Sequence, residues 1–333
     1  MNKKNWLVVV LACVFSLSAF NSCKKSDDTD STTDTGPTEW VKDSAFDGDP
    51  RSAAASFQIG ETGYLATGIL STNERTKDAW TFKNNLWSRI ADFKGEARNG
   101  AVGFSIDGKG YVGTGFNGTD VLRDFWVYDP ATDTWTEIEP LPAEADARYG
   151  AVAFTLNGAG YVGTGATKTQ KTLKDFWKYD PKTNKWTNVT SPLKNKRVNA
   201  FAFVVGGKAY IGGGMDNNQF PEDFYSFDGT ENGWKELAPL KDTDNTYDLT
   251  RQSASTFVIG NFGYVVGGKK ASVLGNVWKY DVAGNKWESK HQALPQNARE
   301  GAVSFSIGGK GYLTTGMNSA TKFDDTWVFT QVR

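Results

Sequence analysis

From residue 39 onward, apolar positions alternate with polar or small ones in short runs separated by turns, the period-two pattern of β-strands. Residues 151–156 alternate in this way and predict a first strand, a. Asn157-Gly158 predicts a tight hairpin turn, because Gly tolerates positive φ. Residues 160–165 predict strand b, 175–180 strand c, and 185–189, around Trp186, strand d. Four antiparallel strands joined by hairpins form a twisted sheet that must bury both faces against something.

The same unit recurs. Arg51, Arg98, Arg148, Arg197, Arg251 and Arg299 are spaced 47, 50, 49, 54 and 48 residues apart. Each is followed six residues later by Phe (57, 104, 154, 203, 257, 305), thirteen later by Tyr (64, 111, 161, 210, 264, 312) and seventeen later by Gly (68, 115, 165, 214, 268, 316). A period near fifty built only of strands marks a β-propeller. The sixth repeat ends after Trp327 without a strand d, and the missing piece lies at the other end. Trp40 stands eleven residues before Arg51, as Trp87 stands eleven before Arg98. The expected fold is therefore an all-β, six-bladed propeller over 39–333, closed by an N-terminal strand that completes the last blade.

The Arg, the Tyr-X-Gly-Gly-Gly and Tyr-X-X-Gly-Gly runs at 210–214 and 264–268, the Tyr-Asp-Pro turns and the following Trp resemble kelch repeats. Four of the six blades have Thr-Gly in place of Gly-Gly. The kelch resemblance implies the superfamily of galactose oxidase, sialic acid mutarotases and many protein-binding domains, so it does not by itself select a function.

The first 38 residues read differently. Residues 1–22 have a short basic start, an apolar run over 6–20 and small or polar residues before Cys23, the layout of a secretory signal that resembles a lipoprotein box. Cys23 would carry the lipid and anchor the chain to a membrane. Residues 23–38 form an acidic, polar tether whose Asp27, Asp28 and Asp30 resemble the surface-export signal of Bacteroidetes lipoproteins. The expected address is the cell-surface leaflet of an outer membrane, with the periplasmic face as the alternative.

Composition narrows the chemistry. With 37 basic and 38 acidic residues, the chain has no basic field for nucleic acid. Its two cysteines, Cys13 and Cys23, both precede the repeats, so no disulfide, thiolate site or Cys nucleophile is expected there. One histidine, His291, is too few for a copper oxidase site, and as a lone histidine in the loop after Trp287 it is expected to be solvated rather than part of a catalytic triad. No metal and no cofactor are expected.

The Arg column has two readings. An Asp stands two residues before the strand-c aromatic at 78, 124, 175, 223 and 325, so Arg51, Arg98, Arg148, Arg197 and Arg299 are expected to form structural Arg–Asp pairs. The other reading is a basic ring receiving an anion. Blade five breaks the pattern with Asn276, leaving Arg251 as the candidate free charge. The residues after each Arg are Ser52, Asn99, Tyr149, Val198, Gln252 and Glu300, and they are expected to face the channel mouth. Asn99, Tyr149, Gln252 and Glu300, with Arg251, Asn276 and Asp248, form the candidate ligand set. Asp248 lies on the 241–248 insertion, either a clamp or a solvated loop.

The preferred expectation is a lipid-anchored binding module presenting this rim to a glycan or envelope protein. The alternatives are a sugar mutarotase using Glu300 and Arg251, and a structural subunit of an outer-membrane complex.

Overall fold

In the third repeat, Val152–Leu156 pairs with Ala159–Gly163, Phe176–Asp180 pairs with that strand, and Lys185–Val189 pairs with Phe176–Asp180, all antiparallel. Asn157 and Gly158 both take positive φ (51° and 72°), the conformation a two-residue hairpin needs. Strand b stops at Gly163, two residues earlier than its pattern predicts, because Thr164 and Gly165 turn into positive φ. The computed structural model describes residues 37–244 and 246–332; the signal, Cys23 and nearly all of the tether lie outside them.

Six four-stranded sheets repeat this arrangement, and the only helical element among the described residues is a short 3₁₀ turn at Ala143–Ala145. Each sheet is a blade, numbered here by the Arg that opens it. The sixth consists of Val303–Ile307, Lys310–Thr314, Thr326–Gln331 and the N-terminal Thr38–Lys42. Trp40 sits opposite Phe329, their rings 5.0 Å apart, and its indole donates to the Gln292 carbonyl at 3.0 Å. The ring is closed by the first strand, as the Trp spacing predicts.

Blades pack through the Phe and Tyr columns. Within a blade the two rings stack across strands a and b, at 5.0 Å for Phe104 and Tyr111. Between blades, the Phe presses on the Gly preceding the next blade's Tyr at five of the six junctions, Ala209 taking that place before Tyr210. A Cβ on Gly110 would lie 2.0 Å from Phe57, so this contact admits no side chain. The last such contact, Phe305 on Gly63, joins the sixth blade to the first.

A second ring runs round the axis. The residue two positions after each Arg adopts positive φ of 51–65°: Ala53, Gly100, Gly150, Asn199, Ser253 and Gly301. Each donates its N–H to the carbonyl of its counterpart in a neighbouring blade, at 2.7–2.9 Å, and the sixth bond closes the circle between Ala53 N–H and Gly301. Beyond this belt the channel wall begins with six alanines, 54, 101, 151, 200, 254 and 302, around a cavity of about 210 Å³. Small side chains at this position let six strands converge on one axis.

Candidate functional site

The six Arg side chains are the largest fully buried groups among the described residues, each 0–1% exposed. Every one donates Nη1 to the carbonyl that ends strand b (Thr67, Thr114, Thr164, Gly213, Gly267, Thr315) at 2.9–3.3 Å. Those residues all have positive φ, which turns the carbonyl toward the guanidinium. Four of them are Thr, for which positive φ is strained, and they present the same carbonyl to the Arg as Gly213 and Gly267 do. Four Arg also form two-pronged pairs with Asp; Arg51 reaches Asp78 at 2.5 and 2.7 Å, and Arg98 reaches Asp124 at 2.6 and 2.7 Å. Arg148–Asp175 and Arg299–Asp325 match them, while Arg197 meets Asp223 through one oxygen at 2.6 Å.

Arg251 is as buried as the others. Its donors reach Leu249 O at 2.9 Å, Gly267 O at 2.9 Å and Asn276 Oδ1 at 2.8 Å. It therefore does not reach the mouth. Burial without a carboxylate partner pushes its guanidinium down to about 10, against a smaller opposing pull from Asp248. The Trp278 indole, which would share the missing carboxylate, has no acceptor. Asn276→Asp is expected to stabilise the fold by about 1–2 kcal/mol at neutral pH by giving both groups their partner. The new carboxyl would be depressed by Arg251, so the gain holds above about pH 4 and fades below it. Thermal melts at pH 7 and pH 3 check this; a lower melting temperature at pH 7 would contradict it.

The residues after each Arg do pair with the residue after each column Gly: Asn99 with Phe116, Tyr149 with Ala166, Gln252 with Lys269 and Glu300 with Met317. Around them lies a partly exposed cluster. Arg75 donates Nε to Asn99 Oδ1 at 3.0 Å and lies over the Phe116 ring at 4.9 Å. Phe116 and Tyr149 are 6.3 Å apart. Lys322 donates to the Leu70 carbonyl; its ammonium is lowered by burial and by the neighbouring Arg75 charge. Glu300 meets Lys269 at 3.4 Å, and Gln252 accepts from Asn199 at 3.3 Å. Arg75, Lys269 and Lys322 thus lie on the rim with Glu300, and the same loops also carry Glu74 and Asp120.

Asp248 accepts from Thr250 and pairs with Lys270 at 2.6 Å. Tyr247 donates its hydroxyl to Pro239 O at 2.8 Å and its ring lies 6.0 Å from Trp278. These contacts tie the insertion down between the fourth and fifth blades. His291 rests on the rings of Tyr264 and Phe329.

Sequence reasoning missed Arg75, Phe116, Lys269 and Lys322. The residue following each column Gly was the available signal for Phe116 and Lys269; Arg75 and Lys322 lie in loops of unequal length and carry no periodic mark. Among the described residues no three His, Cys, Asp or Glu side chains converge in a way that would hold a metal ion.

Comparison with known proteins agrees with this geometry. The family model described as KLHDC2/KLHL20/DRC7 Kelch-repeats domain matches residues 142–316, and the Kelch motif model matches 97–142. Kelch-like protein 6 of Homo sapiens is 33% identical over 91 residues, 27% of this chain and 14% of that protein. Kelch-like protein terF of Aspergillus terreus is 24% identical over 231 residues, 60% of this chain and 48% of that one. The chain spans less than half the length of these curated relatives. The solved structure of YjhT superposes with a TM-score of 0.72 at 18% identity, covering 85% of this chain and 95% of YjhT, a likeness of fold.

Proposed function

We propose that this chain, which belongs to the kelch-repeat family, is a non-catalytic binding module whose loop rim takes an anionic group on a glycan or envelope protein. The observation that carries this reading is the mouth cluster. Arg75 stacked on Phe116, the Asn99 amide and the Tyr149 ring, with Lys322 next to Arg75 and Lys269 further round the rim, offer aromatic faces, hydrogen-bonding groups and positive charge on the loop rim. The six column Arg are internal, so the rim's recognition falls to the non-repeating residues. Arg251 does not share the mouth with Glu300, which weighs against the acid–base pair considered for a mutarotase. Anchoring through Cys23 at the cell-surface face of an outer membrane completes the proposal; an acidic tether behind the Cys supports it.

Saturation-transfer proton NMR of the full chain tests the reading with N-acetylneuraminic acid, glucuronic acid and an acidic peptide. At least one is expected to bind, without faster exchange of sugar anomers. Arg75→Ala should weaken that binding about tenfold or more, since a charged hydrogen bond is lost, and should leave the melting temperature unchanged. Binding that survives Arg75→Ala would remove the mouth from the site, and accelerated anomer exchange would make the protein a mutarotase. Retention of Cys23→Ala in the membrane fraction would dismiss the anchor.

A further inference from the structure

Four blades share a side-chain relay that the fourth blade breaks. The strand-c Trp donates its indole N–H to the Asp two residues earlier in Trp80–Asp78 (2.7 Å), Trp126–Asp124 (2.8 Å), Trp177–Asp175 (2.6 Å) and Trp327–Asp325 (2.7 Å). Blade four has Tyr225 in the Trp position. Asp223 still accepts Arg197 and Asn195 on Oδ1, at 2.6 and 3.1 Å, but Oδ2 accepts no hydrogen bond from the protein. The Asp223 side chain is 5% exposed, and a buried carboxylate oxygen without a donor is costly.

Asp223 lines a cleft of about 580 Å³, a volume suited to a small ligand. Its walls include the amides of Asn195, Asn217 and Gln219 and the apolar surfaces of Phe220 and Pro221. The loop that forms it is preset: Asp216 and Gln219 exchange backbone hydrogen bonds at 2.8 and 2.9 Å around Asn217 and Asn218, both at positive φ. The Thr172 hydroxyl of the preceding blade holds Asp216 from the other side.

We infer that this cleft is a second, lateral site that binds an uncharged, hydroxyl-rich sugar ring, with one hydroxyl donating to Asp223 Oδ2. Four carboxylates line the cleft: Asp223 is met by Arg197, Glu236 by Lys194 at 2.6 Å, Asp216 accepts from the Thr172 hydroxyl and the Asn217 amide, and Glu222 is exposed to solvent, so the buried Asp223 oxygen, whose charge is already paired, calls for an O–H donor. The amides can both donate to and accept from neighbouring hydroxyls, and Phe220 and Pro221 suit the C–H face of a pyranose. The site is separate from the mouth and stands or falls independently of it.

Calorimetry on the full chain tests the inference with the methyl glycosides of glucose, galactose, mannose and N-acetylglucosamine, and with N-acetyl-arginine amide as a cationic probe. At least one glycoside is expected to bind. Tyr225→Trp should weaken it about tenfold or more, because an indole N–H then occupies Oδ2, and should raise the melting temperature. Gln219→Ala, on the exposed loop at ordinary φ, should weaken it without changing stability, and Arg75→Ala at the mouth should leave it unaltered. The inference is overturned if no glycoside binds, if binding is indifferent to both Tyr225→Trp and Gln219→Ala, or if only the cationic probe binds.

Discussion

Arg51→Ala is expected to destabilise the protein by about 3–5 kcal/mol at pH 7, which for a propeller of this size is a fall of roughly 10 °C in melting temperature. The Arg51 side chain is 0% exposed and bonds Thr67 O, Asp49 O and both oxygens of Asp78. Removing it strands a buried carboxylate that keeps only the Thr76 hydroxyl and the Trp80 indole. Burial pushes the Asp78 carboxyl up, but the Arg51 hydrogen bond and charge, with Thr76 and Trp80, outweigh burial and hold it down at about 2.

A depressed carboxyl pKa contributes stability that is present above its unfolded value near 3.9 and is lost as pH falls through the folded value. The difference between Arg51→Ala and the parent should therefore be large at pH 7 and shrink between about pH 4 and pH 2. Arg251→Ala strands no carboxylate, because its partner is Asn276, and it relieves the desolvation of a cation. Its expected cost is about 1–2 kcal/mol with no slope across the acid range. Denaturant titrations of both variants from pH 2 to pH 7 decide the matter. Equal losses with equal pH slopes would mean that charge pairing is not what separates the blades.

Trp40→Ala is expected to cost about 3–5 kcal/mol and, unlike other buried Trp replacements, to open the ring. Trp40 is 6% exposed; its ring meets Phe329 and Phe257, and its strand supplies the outer partner of Thr326–Gln331. Without that anchor the five-residue strand Thr38–Lys42 should fray and uncover an unpaired edge beside Phe329. Hydrogen exchange of the Thr326–Gln331 amides should accelerate in Trp40→Ala and stay slow in Trp135→Ala, which empties a similar volume inside a blade closed by its own chain. Equal protection in both variants would show that the first strand does not hold the ring shut.

Much of this architecture was legible because a propeller is built from local hairpins whose demands repeat. Asn157-Gly158 specifies its turn, and the Phe–Tyr–Gly columns specify which faces meet. The Arg and Asp columns likewise announce a pair in five of the six blades. The carbonyl that each guanidinium also binds was not legible, since spacing cannot reveal positive φ at Thr67 or Gly267. Asn276 was visible as a break in the Asp column, but a free charge at Arg251 was the wrong picture of its consequence; the guanidinium is internal, held by carbonyls and an amide. Tyr225 was equally visible as a departure from Trp, and its effect on Asp223 Oδ2 appears only when the indole–carboxylate distances of the other blades are known.

By itself the sequence determined the blade, the number of blades and the strand that closes them, because each follows from contacts that recur every fifty residues or lie between adjacent strands. The mouth was decided only in part by the repeat. Tyr149 and Glu300 follow the column Arg and Phe116 and Lys269 follow the column Gly, but Arg75 and Lys322 carry no periodic mark, and only closure of the six-membered hydrogen-bonded belt brings residues of five blades round one axis. The lateral cleft is likewise a tertiary product, since the donor that Asp223 lacks is defined by the indole–carboxylate geometry of four other blades.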